Sequence, residues 1–474
     1  MWSSYTYPYL SIIDILVVPF FLLIIFIVER GKYTKKRDLQ PHYRYYLPGL
    51  FVKLFAGMGV CLAYVLYYKS GDTTNYFYDN TCMVNLLFKN PGAAIGTTFS
   101  DLDGERWFSF DNYTGWPIYA YDRNAFFVDR LTWVLCLFSF KSYLGETILI
   151  AWLSFYAVWR LYETLIEEFP TLDKQFAIAV LFIPSVFFWG SGLLKDTITF
   201  AAVCIFTSSF YGLLVKKREF IKNFIFISIA SYLLVKIKPY ILFALLPGSL
   251  LWITGIVLSK IKSNVVRSII APVFTIVALS SGFFVLKSMG DSLGDYALGN
   301  ILGKAVVTQQ DFKRDEYGGS SFDIGDFDPS FSGVLKKAPV AINAALFRPY
   351  IWEARNPVVL LSGVENMVMM LFTIYLIFRL KVYNIFRLIF RHHLLVFTVC
   401  FSLFFAFSVG LTTSNFGSLV RYKIPAIPFY VASLFIIRYT YVDLKRKDKE
   451  QFLILEEERT KKRQNYSSEN VELL

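Results

Sequence analysis

The chain has 474 residues, of which 55% are hydrophobic, 19% aromatic and only 18% charged, with a net charge of +12 and a mean hydropathy of +0.47. So little charge cannot cover so much apolar surface in a soluble protein of this length. The apolar runs are continuous rather than alternating, which excludes a membrane β-barrel.

Runs of about 20 apolar residues recur, each long enough to cross ~30 Å of hydrocarbon as a helix. A helix also pairs its own backbone groups where no water can. The fold class is therefore all-α, a polytopic transmembrane helical bundle. Basic residues collect between the runs: six Lys/Arg in 29–46, four in 216–222, three in 260–267, four in 379–391 and nine from Arg438 onward. The positive-inside rule makes these segments cytoplasmic, so the basic charge records orientation and not a nucleic-acid partner.

With those segments inside, spans are expected near 9–28, 47–68, 144–163, 175–189, 194–215, 222–237, 239–258, 266–286, 356–378, 393–411 and 420–438. That makes about 11 crossings, with the N-terminus outside and the C-terminus cytoplasmic. The first run lacks a basic segment before it and has cations after it, as in a retained anchor. The stretch 125–140 is apolar too, but counting it would invert every later loop, so it is expected to be a re-entrant or interfacial helix. Residues 1–440 then form a transmembrane domain with two long extracytoplasmic segments, 69–143 and 287–355. Residues 441–474 form a charged cytosolic tail.

Long loops are commonly functional. The first opens "YYKSGDTTNYFYDNTCMVNLLFKNPG". A helix starting early there places Asp72, Tyr76 and Asp79 on one face, while Cys82, Met83, Leu86 and Leu87 form an apolar face suited to lying flat on the outer leaflet. Asp72 is either a general base toward a hydroxyl acceptor or an N-cap.

The next feature is "FIPSVFFWGSGLLKDTITF" (182–200), where a Gly190-Ser191-Gly192 break precedes Lys195 and Asp196. Asp196 suits a helix start and Lys195 does not. Lys195 either forms a structural pair with Asp196, or joins the amides of the break in an anion site. Lys236 and Lys238 flank the Pro239 break, where a helix C-terminus also favours cations. "LFRPYIWEARNP" sets Arg348 and Arg355 seven apart around Trp352 and Glu353, either as an arginine fork for phosphate or carboxylate or as a surface anchor. "NFGSLVRYKIPAIPFY" puts Arg421 and Lys423 at the start of a span, where they either bind phosphate or snorkel.

The five cysteines give no disulfide framework, and the three histidines have no partners at zinc-ligand spacing. No cofactor and no metal ligand is assigned, although a divalent metal is left open. Cations from four loops facing acids from the first loop match a lipid phosphate or diphosphate at the outer leaflet.

On "SGDTTNYFYDN", "PSVFFWGSGLLKD" and "NFGSLVRYKIPAIPFY", together a tenth of the chain, the sequence resembles bacterial membrane glycosyltransferases of the GT-C class. The resemblance implies an inverting transfer from a polyprenyl-phosphate-linked sugar on the extracytoplasmic face, for cell-envelope polysaccharide or glycoconjugate assembly. Asp72 would stand in the place of the catalytic acid, with Asp79 supporting it. Lys195, Lys236, Lys238, Arg348, Arg355, Arg421 and Lys423 would hold the lipid phosphate. Tyr76, Trp189, Trp352 and Glu353 would line the substrate. The class usually has one span before this loop and an adjacent acidic pair; this chain has two spans and separated acids. The chain is also similar to Wzy- or EpsG-type polysaccharide polymerases, through its large outer segment 287–355 with Arg348 and Arg355. A transporter or a non-catalytic assembly partner is a third reading. The partners expected are membrane lipid and a polyprenyl-phosphate-linked glycan.

Overall fold

The computed structural model describes residues 9–263, 322–325 and 330–472, with isolated positions within 272–328. Among the described residues the protein is helical, without strands, and nine helices are long and apolar enough to cross a membrane. The protein is an integral membrane protein.

The chain runs α1 (Ile12–Arg37), α2 (Tyr46–Leu62), α3 (Asp72–Lys89), α4 (Pro91–Phe99), α5 (Gly104–Trp107), α6 (Arg123–Phe138) and α7 (Tyr143–Glu168). It continues α8 (Asp173–Leu181), α9 (Pro184–Trp189), α10 (Lys195–Phe210), α11 (Phe220–Ile237) and α12 (Pro239–Ser259). After the break in description come α13 (Phe331–Lys336), α14 (Ala338–Phe347), α15 (Pro357–Leu380), α16 (Val382–Ile389), α17 (His393–Thr412), α18 (Phe416–Tyr422) and α19 (Ile427–Glu472).

Nine of the eleven expected spans each overlap one long apolar helix. The span expected at 266–286 lies outside the described residues, as does most of 287–329. The stretch 175–189 is two short helices rather than one. Pro184 has no amide hydrogen to continue α8 and holds Ile183 extended, at φ −75° and ψ 122°. The last span also differs, beginning at Ile427 and continuing without interruption into the charged tail.

Contacts define the two ends of the bundle. At one end Arg44 meets Asp173 at 2.6 Å, Arg218 meets Glu167 at 2.7 Å and the Tyr211 hydroxyl donates to Glu168 at 2.8 Å. The Phe169 ring lies against His392 at this end, which therefore gathers the basic segments 29–46, 216–222 and 379–391. The opposite end gathers the C-terminal end of α2, the starts of α3, α7 and α10, the α11–α12 junction, and α18.

The apolar face of α3 is not laid on lipid. Cys82, Met83 and Leu86 are buried in a cluster with Phe126, Val128, Trp133 and Cys136 of α6 and with Tyr143. The stretch expected to be re-entrant or interfacial is thus α6, a 16-residue helix that covers α3. Covering that face with protein anchors the first long segment rigidly over one end of the bundle.

Candidate active site

The site is built where α2 changes pitch. Residues Ala63–Tyr67 form a π-helical turn, a feature often found at functional sites. It carries Tyr64, whose ring packs against the backbone of Gly71. Gly71 has φ +146°, and a Cβ there would sit 2.6 Å from that ring, so only glycine fits. Gly71 also caps α3. Asp72 is consequently not the cap; it is the first helical residue, and its carboxylate is free to point elsewhere.

It points at Arg421. An Arg421 Nη donates to Asp72 at 2.7 Å, and the other Nη donates to the Tyr64 hydroxyl at 2.9 Å. The same guanidinium reaches Asp196 at 3.0 Å, and Lys238 completes the Asp196 carboxylate at 2.5 Å. The Tyr119 hydroxyl donates to Asp72 at 3.0 Å. The Arg421 guanidinium lies 5.7 Å from the Trp189 ring centroid, and the Tyr76 ring lies 4.8 Å from the Tyr119 ring. Six of the residues singled out in the sequence therefore converge: Asp72, Tyr76, Trp189, Asp196, Lys238 and Arg421.

The two carboxylates on Arg421 differ in access. The Asp196 side chain is 2% exposed and is fixed by two cations, whereas that of Asp72 is 42% exposed. Burial pushes the Asp72 carboxyl up, but the Arg421 charge and the hydrogen bonds from Arg421 and Tyr119 outweigh it and hold it below the usual carboxylate range. Asp72 is thus a carboxylate in neutral solution.

Lys195 does not pair with its neighbour Asp196. It meets Asp122, the N-cap of α6, at 3.1 Å. The glycine break beside it is not an open anion cradle either. The Gly190 amide donates to Val186 at 3.0 Å and the Ser191 amide to Phe188 at 3.3 Å. Lys53 of α2 donates to the Gly190 carbonyl. The two amides close the last turn of α9, and the lysine fastens that end to α2.

Arg421 and Lys423 also differ from expectation. They end the short helix α18 instead of starting a span, so the cation in its last turn agrees with the dipole. Lys423 is buried, donating to Asn366 at 2.6 Å and to the Arg348 carbonyl at 3.2 Å, and burial pushes its ammonium down to about 8. Arg348 is bound by Glu353 at 2.5 Å and lies 4.6 Å over the Phe322 ring. Trp352 stacks on Tyr350 and is 72% exposed. Arg355 and Lys236 are exposed, Lys236 above the Tyr232 ring. This second group (Arg348, Trp352, Glu353, Lys423) adjoins the Arg421 cluster through α18 but does not enter it.

Beneath Asp72 lies a buried acidic layer. Asp79 accepts from the Ile118 and Tyr119 amides at 2.7 and 2.8 Å, yet burial prevails and pushes its carboxyl up to about 7. Asp79 therefore positions the loop that carries Tyr119 and, fully buried, is not a member of the Arg421 cluster. Asp129 is fully buried with no hydrogen-bond partner among the described residues. Burial and then the charge of Asp79 push its carboxyl well above the ordinary range. Nearby, the Asn80 amide donates to Thr132 at 2.9 Å and to Glu146 at 2.5 Å. No group of three or more His, Cys, Asp or Glu side chains suited to a metal ion occurs among the described residues.

Tyr64, Tyr119 and Asp122 complete the site and are not apparent from sequence. Only Asp122 carries a local signal, an aspartate just before a helix. Comparison with family models, curated proteins and solved structures finds no match to this chain.

Proposed function

We propose that the protein is a membrane-embedded glycosyltransferase of the bacterial inner membrane, drawing on a polyprenyl-phosphate-linked sugar at the extracytoplasmic face for cell-surface polysaccharide or glycoconjugate assembly. The observation that carries this reading is the half-exposed, ionised Asp72 held beside Arg421 at the end of the bundle away from the basic segments. By the positive-inside rule that end is extracytoplasmic.

In the transfer, an acceptor hydroxyl gives its proton to Asp72 as its oxygen bonds to the anomeric carbon. The bond from that carbon to the phosphate oxygen breaks on the opposite face, and the lipid phosphate leaves with the electron pair, inverting the centre. Lys195 is the cation placed to receive that charge, while Arg421, already bonded to Asp72, Asp196 and Tyr64, holds Asp72 ionised and in position. The Lys195–Asp122 pair is part-exposed, at 23% and 52%, so its opening toward a phosphate costs little. Lys238 keeps Asp196 in place and thereby keeps Arg421 in place.

A polymerase reading built on Arg348 has less support, because Glu353 already occupies its guanidinium. A transport reading has less support because the ionised cluster is at the bundle end. The test is transfer from radiolabelled polyprenyl-phosphate sugars to a membrane acceptor extract, using the purified full chain in nanodiscs. Transfer that disappears in Asp72→Asn is expected. A folded protein that transfers no sugar from any such donor overturns the reading.

A further inference from the structure

Next to the Asp72 cluster, the loop before α6 alternates between two environments. Tyr119 and Asp122 turn toward the cluster, binding Asp72 and Lys195. Ala120, Tyr121 and Arg123 line a separate cavity of about 240 Å³, together with Asp101, Leu102 and Phe126. That volume is below the ~300–1,000 Å³ of sites that enclose drug-sized ligands, and suits a single ring with the remainder of a chain lying outside.

Outside the cavity is an aromatic shelf. The Trp107 and Trp116 rings lie 4.8 Å apart, and Tyr121 extends the row 5.7 Å from Trp107. Tyr121 is 88% exposed. Such a row has two common uses: an interfacial belt in lipid or a stacking surface for the C–H faces of sugar rings. The charge around it favours the second. Carboxylates of residues 100–123 are matched by Lys89, Arg106, Arg130 and Lys195, so no excess of cations is left to hold an anionic leaflet. The Arg123 guanidinium, at the cavity, has no ion-pair partner among the described residues. Asp101 stands beside it, 54% exposed and steadied by Arg130 at 3.0 Å. Free donors and acceptors around an apolar shelf match a ligand that is apolar on its faces and hydroxylated at its rim.

We propose that this cavity and shelf bind the acceptor glycan, with one sugar ring in the cavity against Tyr121 and the preceding rings stacked over Trp107 and Trp116. The proposal rests on the transferase reading for its placement of the acceptor end. Tyr119, whose hydroxyl binds Asp72, and Tyr121, on the cavity, belong to one loop, so a glycan continued along that loop from the cavity brings its end toward Asp72. Arg123 and Asp101 take the hydroxyls of the seated ring.

The test is calorimetric titration of the full chain in nanodiscs with two soluble neutral β-linked tetrasaccharides, cellotetraose and chitotetraose. Saturable binding of one of them is expected, weakened about tenfold in Tyr121→Ala and less in Tyr121→Phe, which keeps the ring. Tyr113→Ala, an exposed tyrosine away from the cavity, should bind like the unmodified chain. Absence of binding by both sugars, or binding indifferent to Tyr121→Ala, overturns the proposal. So does a spin label on Tyr121→Cys that is relaxed by oxygen and not by an aqueous nickel chelate, since the shelf then lies in lipid. Tetrasaccharide binding through Tyr121 without any sugar transfer would refute the transferase and leave the glycan site. Transfer to a glycan acceptor that is insensitive to Tyr121→Ala would do the reverse.

Discussion

Asp72 and Asp196 share one guanidinium, and their substitution should separate chemistry from stability. Asp72→Asn keeps the shape and removes the base. A loss of transfer of at least about 100-fold is expected with an unchanged melting temperature, because the side chain is 42% exposed. Asp196→Asn leaves Lys238 and Arg421 without the carboxylate they converge on. A cost of about 3–5 kcal/mol is expected, visible as a lowered melting temperature of the purified protein. Lys195→Met should cost less than about 1 kcal/mol, since its pair with Asp122 is part-exposed, and should weaken donor binding instead. Asp79 adds a pH signature. Its folded carboxyl is raised to about 7, so below the unfolded value near ~4 its contribution is fully present. That contribution declines as pH rises toward 7 and is gone above it. The stability difference between the protein and Asp79→Asn, measured by unfolding across pH 4–8, should therefore fall with rising pH and then level off.

Among the elements, the π-helical turn of α2 and the start of α3 act as one unit with Gly71 as its joint. Gly71→Ala changes no charge, but it forces an L side chain into φ +146° and into the Tyr64 ring. A cost of about 1–3 kcal/mol is expected, and displacement of Tyr64 and Asp72 should lower transfer more than the melting temperature predicts. An equal fall in both would mean that the joint serves stability alone. The paired short helices α8 and α9 show the same economy of local causes. Pro184 breaks the run, and Lys53 reaching the Gly190 carbonyl secures the broken end. The segment still passes from Asp173 at the basic end to Trp189 under Arg421.

For the whole molecule, the two ends have opposite characters: basic segments at one, the Asp72 cluster and aromatic shelf at the other. A cysteine placed at Asn112, exposed in the first long segment, should be labelled by an impermeant maleimide on intact cells. A cysteine at Arg387 in α16 should be labelled only after permeabilisation. The native cysteines give little background, since Cys61, Cys82, Cys136 and Cys204 are buried and Cys400 is half-buried. The reverse pattern would put the cluster on the cytoplasmic side and end the proposed reaction at the outer leaflet.

Long apolar runs and basic connectors made the helical membrane class legible from residues alone, because a span in lipid must satisfy its own backbone and its length follows bilayer thickness. Several members of the Arg421 cluster stood out as well, because a charge or a helix break there interrupts or borders an apolar run. Pairing did not. Lys195 turned to Asp122 and not to adjacent Asp196, and Arg421 joined Asp72 and Asp196 from the far end of the chain. Arg348 was taken by Glu353, five residues on. The lipid-facing appearance of Cys82, Met83 and Leu86 was equally ambiguous, because protein and hydrocarbon are alike to an apolar face and only the packing of α6 distinguishes them. Composition and periodicity fix what solvent a segment tolerates; which charge answers which depends on contacts between residues remote in sequence, and local pattern carries no record of those.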